Sequence, residues 1–102
     1  MNIQIKAENL TLDERLKNYI CDKVHMLTKY LGDIHIIDIK VKVSLTSKHH
    51  QKGNIYACEM ALVLPGDTLR VSKTTSDVYK AVDKVKDHLV LLIKKYKDTH
   101  DN

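Results

Sequence analysis

The side chains able to do acid–base, nucleophilic or metal chemistry are present in this chain but are not spaced for it. Six histidines are scattered as His25, His35, His49, His50, His88 and His100. Metal ligands must converge on one point, which short fixed spacings achieve and a scatter does not. His49 and His50 are neighbours in a polar stretch and point apart, and the other four share no ligand spacing. All six read as surface histidines. Cys21 and Cys58 are far apart with no CxxC spacing. Cys21 lies among apolar helical residues and Cys58 on the inward register of a strand, so both read as reduced, packed small hydrophobes. Asp83 and Asp87 form an i,i+4 pair interspersed with lysines, the pattern of a solvated, ion-paired helix face. No GxGxxG, P-loop, HExxH or GxSxG run occurs. The expectation is a protein that is not an enzyme and uses no metal, cofactor or small-molecule substrate.

Lysine is what the chain arranges in a pattern. Seventeen Lys and Arg against thirteen Asp and Glu leave a net charge of +4, a moderate excess that favours an acidic partner. In the last third of the chain, a helical step of about 100° per residue gathers Lys80, Lys84, Lys94 and Lys95 into one sector away from the apolar stripe. Lys86 and Lys97 flank this sector, and Asp87 and Leu91 interrupt it. The ordinary reading stands beside the functional one, because lysines near a helix C-terminus also complement the macrodipole. A helical stretch nearer the N-terminus adds Arg15, Lys17, Lys23 and Lys29, with Lys23 so close to the apolar stripe that it must snorkel. Lys40 and Lys42 occupy the wet face of a strand, where they also resist edge-to-edge pairing. There are five tyrosines and no Trp or Phe. Tyr19, Tyr30, Tyr79 and Tyr96 fall mostly at core-flanking helical positions, unlike the strand-borne aromatics of a single-strand reader. Lysines so placed would grip a folded RNA by its backbone and shape.

The elements that must hold these lysines follow from hydrophobic period. At 102 residues the chain is sized for one domain. Ile3 and Ile5 alternate with polar neighbours in a short strand over about residues 2–7. A helix follows, capped either by a Thr11/Glu14 capping box or by Asp13, with Leu16, Ile20, Leu27 and Leu31 inward and Gly32 at its end. Ile37, Ile39, Val41, Val43 and Leu45 alternate strictly with polar residues, which predicts a strand with one packed face. Ser47 to Asn54 reads as a polar hairpin loop, and a third strand over about 55–64 turns Tyr56, Cys58, Met60 and Leu62 to one side. Pro65-Gly66-Asp67 is a tight turn into a fourth strand over about 68–74, with Leu69 and Val71 inward. The last helix spans about 77–97 on a stripe of Val78, Val82, Val85, Leu89, Leu92 and Tyr96. The order β-α-β-β-β-α predicts an α+β fold: a four-stranded mixed sheet, first two strands parallel, with both helices on one face. No apolar run approaches the ~20 residues needed to cross a bilayer. No targeting segment precedes the first strand, so a cytoplasmic protein without membrane contact is expected.

Five segments stand out: Met1-Asn2-Ile3-Gln4-Ile5, Leu16-Lys17-Asn18-Tyr19-Ile20, Leu27-Thr28-Lys29-Tyr30, Pro65-Gly66-Asp67-Thr68-Leu69 and Asp77-Val78-Tyr79-Lys80-Ala81-Val82-Asp83. They resemble the ribosome hibernation promoting factor family, which includes protein Y and also goes by the name sigma-54 modulation protein. The resemblance runs in order along essentially the whole chain, and Asp-x-Tyr-x-Ala-x-Asp is its most specific part. It implies a fold similar to double-stranded RNA-binding domains. It further implies binding to 16S rRNA in the decoding channel of the small ribosomal subunit, over the tRNA and mRNA sites, silencing translation in stationary phase or stress. Residues 1–102 look like the short form, without the second, dimerising domain, acting with a separate ribosome modulation factor.

The family's basic positions on the first helix fall on Lys23, Met26 and Lys29, and on the last helix on His88, Leu91, Lys95 and Lys97. Met26, His88 and Leu91 depart from the basic pattern, which implies weaker and less salt-sensitive binding. Lys80, Lys84 and Lys94 supply other cations on the last helix. Two further readings remain beside this one. A general double-stranded RNA binder would show no preference for ribosomes. A small α/β enzyme of the acylphosphatase kind would need an arginine in an anion-cradling loop, whereas Arg15 and Arg70 lie in no glycine-rich loop.

Overall fold

The computed structural model describes residues 2–50 and 53–100, with the backbone alone for residues 47–50. The elements are β1 (Ile3–Glu8), α1 (Glu14–Leu31), β2 (Asp38–His50), β3 (Gly53–Leu64), β4 (Asp67–Thr75) and α2 (Val78–His100). The sheet order is β1-β2-β3-β4, with β1 parallel to β2 and the other pairs antiparallel. This is the expected β-α-β-β-β-α arrangement, and it follows from connection length. A helical crossover separates β1 from β2, while short reversals join the rest.

One face of the sheet and the inner faces of both helices form a single core. Ile39, Val41 and Val43 of β2, Cys58, Met60, Leu62 and Leu64 of β3, and Leu69 and Val71 of β4 are buried against Leu16, Ile20, Val24, Leu27 and Leu31 of α1. Ala81, Val82, Val85, Leu89, Ile93 and Tyr96 of α2 complete it. The opposite face of the sheet is wet, with Lys40, Lys42 and Arg70 exposed on it.

The helix ends are fixed by local chemistry. Asp13, in extended conformation, caps α1 by accepting from Leu16 N–H at 2.8 Å, which decides between the two candidate caps. Gly32 closes α1 with φ +60°, its N–H donating to Thr28 C=O at 3.1 Å. Asp77 accepts from Tyr79 N–H at 2.8 Å and caps α2. At the β3–β4 turn, Pro65 stands before Gly66 at φ +78°, the left-handed position that a type II turn asks of its third residue. Tyr96 Oη donates to Pro65 C=O at 2.7 Å and ties the last turns of α2 to that reversal.

Four details differ from the sequence-based expectation. The stretch Ser47–Asn54 is not all loop: β2 runs to His50 and β3 begins at Gly53, leaving 51 and 52 outside the described residues. An antiparallel ladder satisfies its backbone without burying side chains, so polar composition hides it. The pairing register shifts after Leu45 and again after Ser47, so the ladder is irregular in this arm. Ile37 precedes β2 and is 51% exposed, so it is not part of the packed face. On α2 the fully buried residue is Ile93, with Leu92 only half-buried, because α1 packs beside α2 and draws the buried arc toward itself. Tyr30 is not core-flanking in effect: it is 44% exposed.

Candidate nucleic-acid interface

The two helices meet through a polar clasp at one end and open into a cation-lined groove at the other. In the clasp, Tyr19 Oη donates to Asp83 Oδ1 at 2.7 Å, and Lys23 Nζ lies 3.2 Å from the same oxygen. Tyr19 and Tyr79 pack edge to face with centroids 5.0 Å apart, while Arg15 and Lys23 each stand 5.0 Å over a ring, Tyr79 and Tyr19 respectively. The hydrogen bond to Asp83, with some desolvation, pushes the Tyr19 phenol up to about 12. Asp83 and Asp87 are both ion-paired to lysines, as their pattern on the helix predicts, but the partner of Asp83 comes from α1, so this residue also joins the helices.

This geometry sorts the lysines singled out in the sequence. Lys80, Lys84, Lys94 and Lys95 on α2 and Lys29 on α1 are exposed. Lys97 is exposed but donates from Nζ to Tyr30 C=O at 2.8 Å, bridging α2 to the last turn of α1. Lys23 is the outlier. Its side chain is 18% exposed and its charge is met by Asp83, so it serves the helix–helix contact before it can serve a ligand. His88 is no simple surface histidine. It is half-buried in a cleft of about 510 Å³ between α2 and β4, lined by Lys73, Thr74, Lys84, Asp87 and Leu91. Its Nδ1 has no hydrogen-bond partner among the described residues. The side chains of His49 and His50 lie outside the described residues. Leu91, at 62% exposure, stands on the solvent side of α2 and interrupts the cations there.

Two cations of this surface lie beyond the RNA-binding residues expected from sequence. Lys73 shares the inward register of Leu69 and Val71, yet falls at the end of β4 where α2 leaves it half-buried beside His88. That register is the signal that could have found it. Lys86 turns toward α1, lining a groove with Met26, Lys29 and Tyr30. The surface thus runs from the α1–α2 groove, across the outer side of α2, to the α2–β4 cleft. On the far face of the sheet, Lys42 pairs with Glu8 at 3.2 Å and Arg70 with Glu59 at 3.7 Å, so those two cations are already offset. Among the described residues no three His, Cys, Asp or Glu side chains come together as a metal site. No described helix is long and apolar enough to cross a membrane. Burial pushes the Cys58 thiol up to about 12, which leaves it a packing residue.

A sequence profile described as sigma 54 modulation protein / S30EA ribosomal protein matches residues 3–101. The chain belongs to this family. It is 29% identical over 97 residues to a ribosome hibernation promotion factor of Lactococcus lactis, covering 95% of this chain and 50% of that protein. The same identity and length hold for a ribosome hibernation promotion factor of Staphylococcus aureus, of which 48% is covered. The chain therefore spans about half the length of these curated relatives. Among solved structures, the Thermus thermophilus protein Y N-terminal domain superposes with TM-score 0.77 at 28% identity, covering 94% of this chain and 99% of that one. A ribosomal subunit interface protein from Coxiella burnetii has the same fold, with TM-score 0.77 at 21% identity, covering 96% and 99%. The segment that most resembles the family, Asp77 to Asp83, is in this member a structural device. Asp77 caps α2, Tyr79 meets Tyr19, buried Ala81 admits close packing, and Asp83 receives Tyr19 and Lys23.

Proposed function

We propose that this domain binds the ribosome through the outer faces of α1 and α2 and silences translation by occupying space, without catalysing a reaction. The observation that carries this reading is the exposed set Lys29, Lys80, Lys84, Lys94 and Lys95 on a rigid two-helix surface. Membership of a family whose relatives are named for ribosome hibernation supports it. Phosphate neutralisation by lysine supplies sequence-independent affinity and makes it fall with salt. The finer reading is contact with 16S rRNA in the decoding channel of the small subunit, blocking tRNA and mRNA during stationary phase or stress in the cytoplasm. A separate ribosome modulation factor would act beside it.

Sedimentation with purified ribosomes over a series of KCl concentrations tests the reading. Co-sedimentation that weakens as salt rises is expected, and no binding at low salt would end it. Replacing Lys29, Lys84 and Lys95 together by Ala should flatten the salt dependence, with the slope falling by roughly two to three. The fold should survive, since exposed substitutions cost about 0.5 kcal/mol or less each. Equal affinity for a plain RNA duplex would instead favour a general double-stranded RNA binder.

A further inference from the structure

We infer that the groove between α1 and α2 is a pocket for one unstacked RNA base, with Tyr30 as its stacking platform; the inference rests on the ribosome-binding reading above. Two of the large apolar side chains exposed among the described residues, Met26 at 42% and Tyr30 at 44%, lie one helical turn apart on α1. With Lys29 and Lys86 they line a groove of about 330 Å³. Lys94 Nζ stands 6.0 Å from the Tyr30 ring centroid, and Lys97 Nζ holds the Tyr30 carbonyl at 2.8 Å. A small apolar site is thus edged by Lys29 and Lys86, with Lys94 beside the Tyr30 ring. Of these cations, Lys86 is paired with Asp87.

The charge pattern selects the occupant. A flat apolar group carried between negative charges satisfies both parts of the site, and a nucleobase between its phosphates is such a group. A second copy of this chain fits poorly, because a self-complementary contact would press lysines against lysines in a protein of net charge +4. Lys94 sits at the outer limit of cation–π distance, so its ammonium is loosely held and can move to a phosphate as the base takes the ring. Met26, unbranched and polarisable, adapts to the base edge. The methionine at a position where the family resemblance implies a basic residue is then a gain of apolar contact as well as a lost charge. An unpaired, splayed-out nucleotide is the ligand class, which differs from backbone-only gripping of a duplex.

The test compares wild type, Tyr30→Ala, Tyr30→Phe and Lys29→Ala for binding to purified ribosomes and to protein-free ribosomal RNA across KCl concentrations. Stacking by one aromatic corresponds to ~1–3 kcal/mol, so Tyr30→Ala should weaken binding about tenfold while leaving the salt slope unchanged. Tyr30→Phe should keep the wild-type affinity, and Lys29→Ala should lower the slope by about one. Wild-type affinity in Tyr30→Ala, or an equal loss in Tyr30→Phe, would overturn the pocket while leaving ribosome binding in place. Dependence on Tyr30 with ribosomes but not with protein-free RNA would overturn it in favour of an acidic protein partner. If wild type binds neither target, both the pocket and the ribosome reading fall. Circular dichroism of the Ala variant should match wild type, since the side chain lies outside the core.

Discussion

Asp83 shows how one residue changes meaning when its neighbours across the fold are known. In sequence it is one member of an acidic pair on a lysine-rich helix; in the structure it accepts the Tyr19 hydroxyl and faces Lys23. This bond favours the protonated phenol, so the Tyr19 pKa rises from 10.0 to about 12 in the folded state. The contribution is complete below the unfolded value and is lost as pH rises through the folded one. Stability, read as a urea midpoint, should therefore fall between about pH 10 and about pH 12, and Tyr19→Phe should fall less steeply over that window. The cysteines make a second contrast. Cys21 is half-exposed and Cys58 is fully buried, with its thiol pushed up to about 12 by desolvation. An aromatic disulfide reagent should titrate Cys21 in the native protein and Cys58 only after denaturant is added. Comparable rates for both would contradict the burial of β3. The apolar neighbourhood of each cysteine was legible in sequence, but the unequal depth of the two was not.

At the scale of elements, caps and crossings do most of the positioning. Asp77 fixes where α2 starts, while the buried face of α2 fixes the angular setting of the lysines on it. Asp77→Ala should cost ~1 kcal/mol of stability, measured by denaturant unfolding. Ribosome affinity measured at a temperature where the variant stays folded should change little, since Asp77 opposes no ligand in the proposed contact. The hydrophobic periods were sufficient to place all six elements and most of their inner faces. They missed the outer half of the β2–β3 arm, because an antiparallel ladder of polar residues satisfies its backbone without an apolar stripe. They chose Leu92 over Ile93 because a stripe read along one helix ignores the second helix lying beside it. The same omission misplaced Tyr30, whose exposure depends on how far α2 covers the last turn of α1.

For the whole molecule, the balance of charge on the two-helix surface decides how strongly a polyanion is held. Leu91 stands 62% exposed at the rim of the α2–β4 cleft, at a position where the family resemblance implies arginine. Leu91→Arg should strengthen ribosome binding at low salt and steepen the logarithmic salt slope by about one, without loss of thermal stability. An unchanged slope would mean that this part of α2 does not face phosphate. The far side of the sheet, where Glu8 and Glu59 already offset Lys42 and Arg70, is the weaker candidate for such contact. Sequence by itself determined the fold order, most of the inner faces, the family and the presence of a lysine sector, because each of these is a one-dimensional pattern of period, punctuation or motif. Tertiary structure alone decided which cations are free. Lys23 is drawn into the clasp by Asp83, far downstream in the chain, Lys86 is held by Asp87 at the groove beside α1, and Lys73 is left half-buried beside His88. Charge and exposure at a residue depend on groups that meet only when two helices pack on one sheet, and no local pattern along the chain records that meeting.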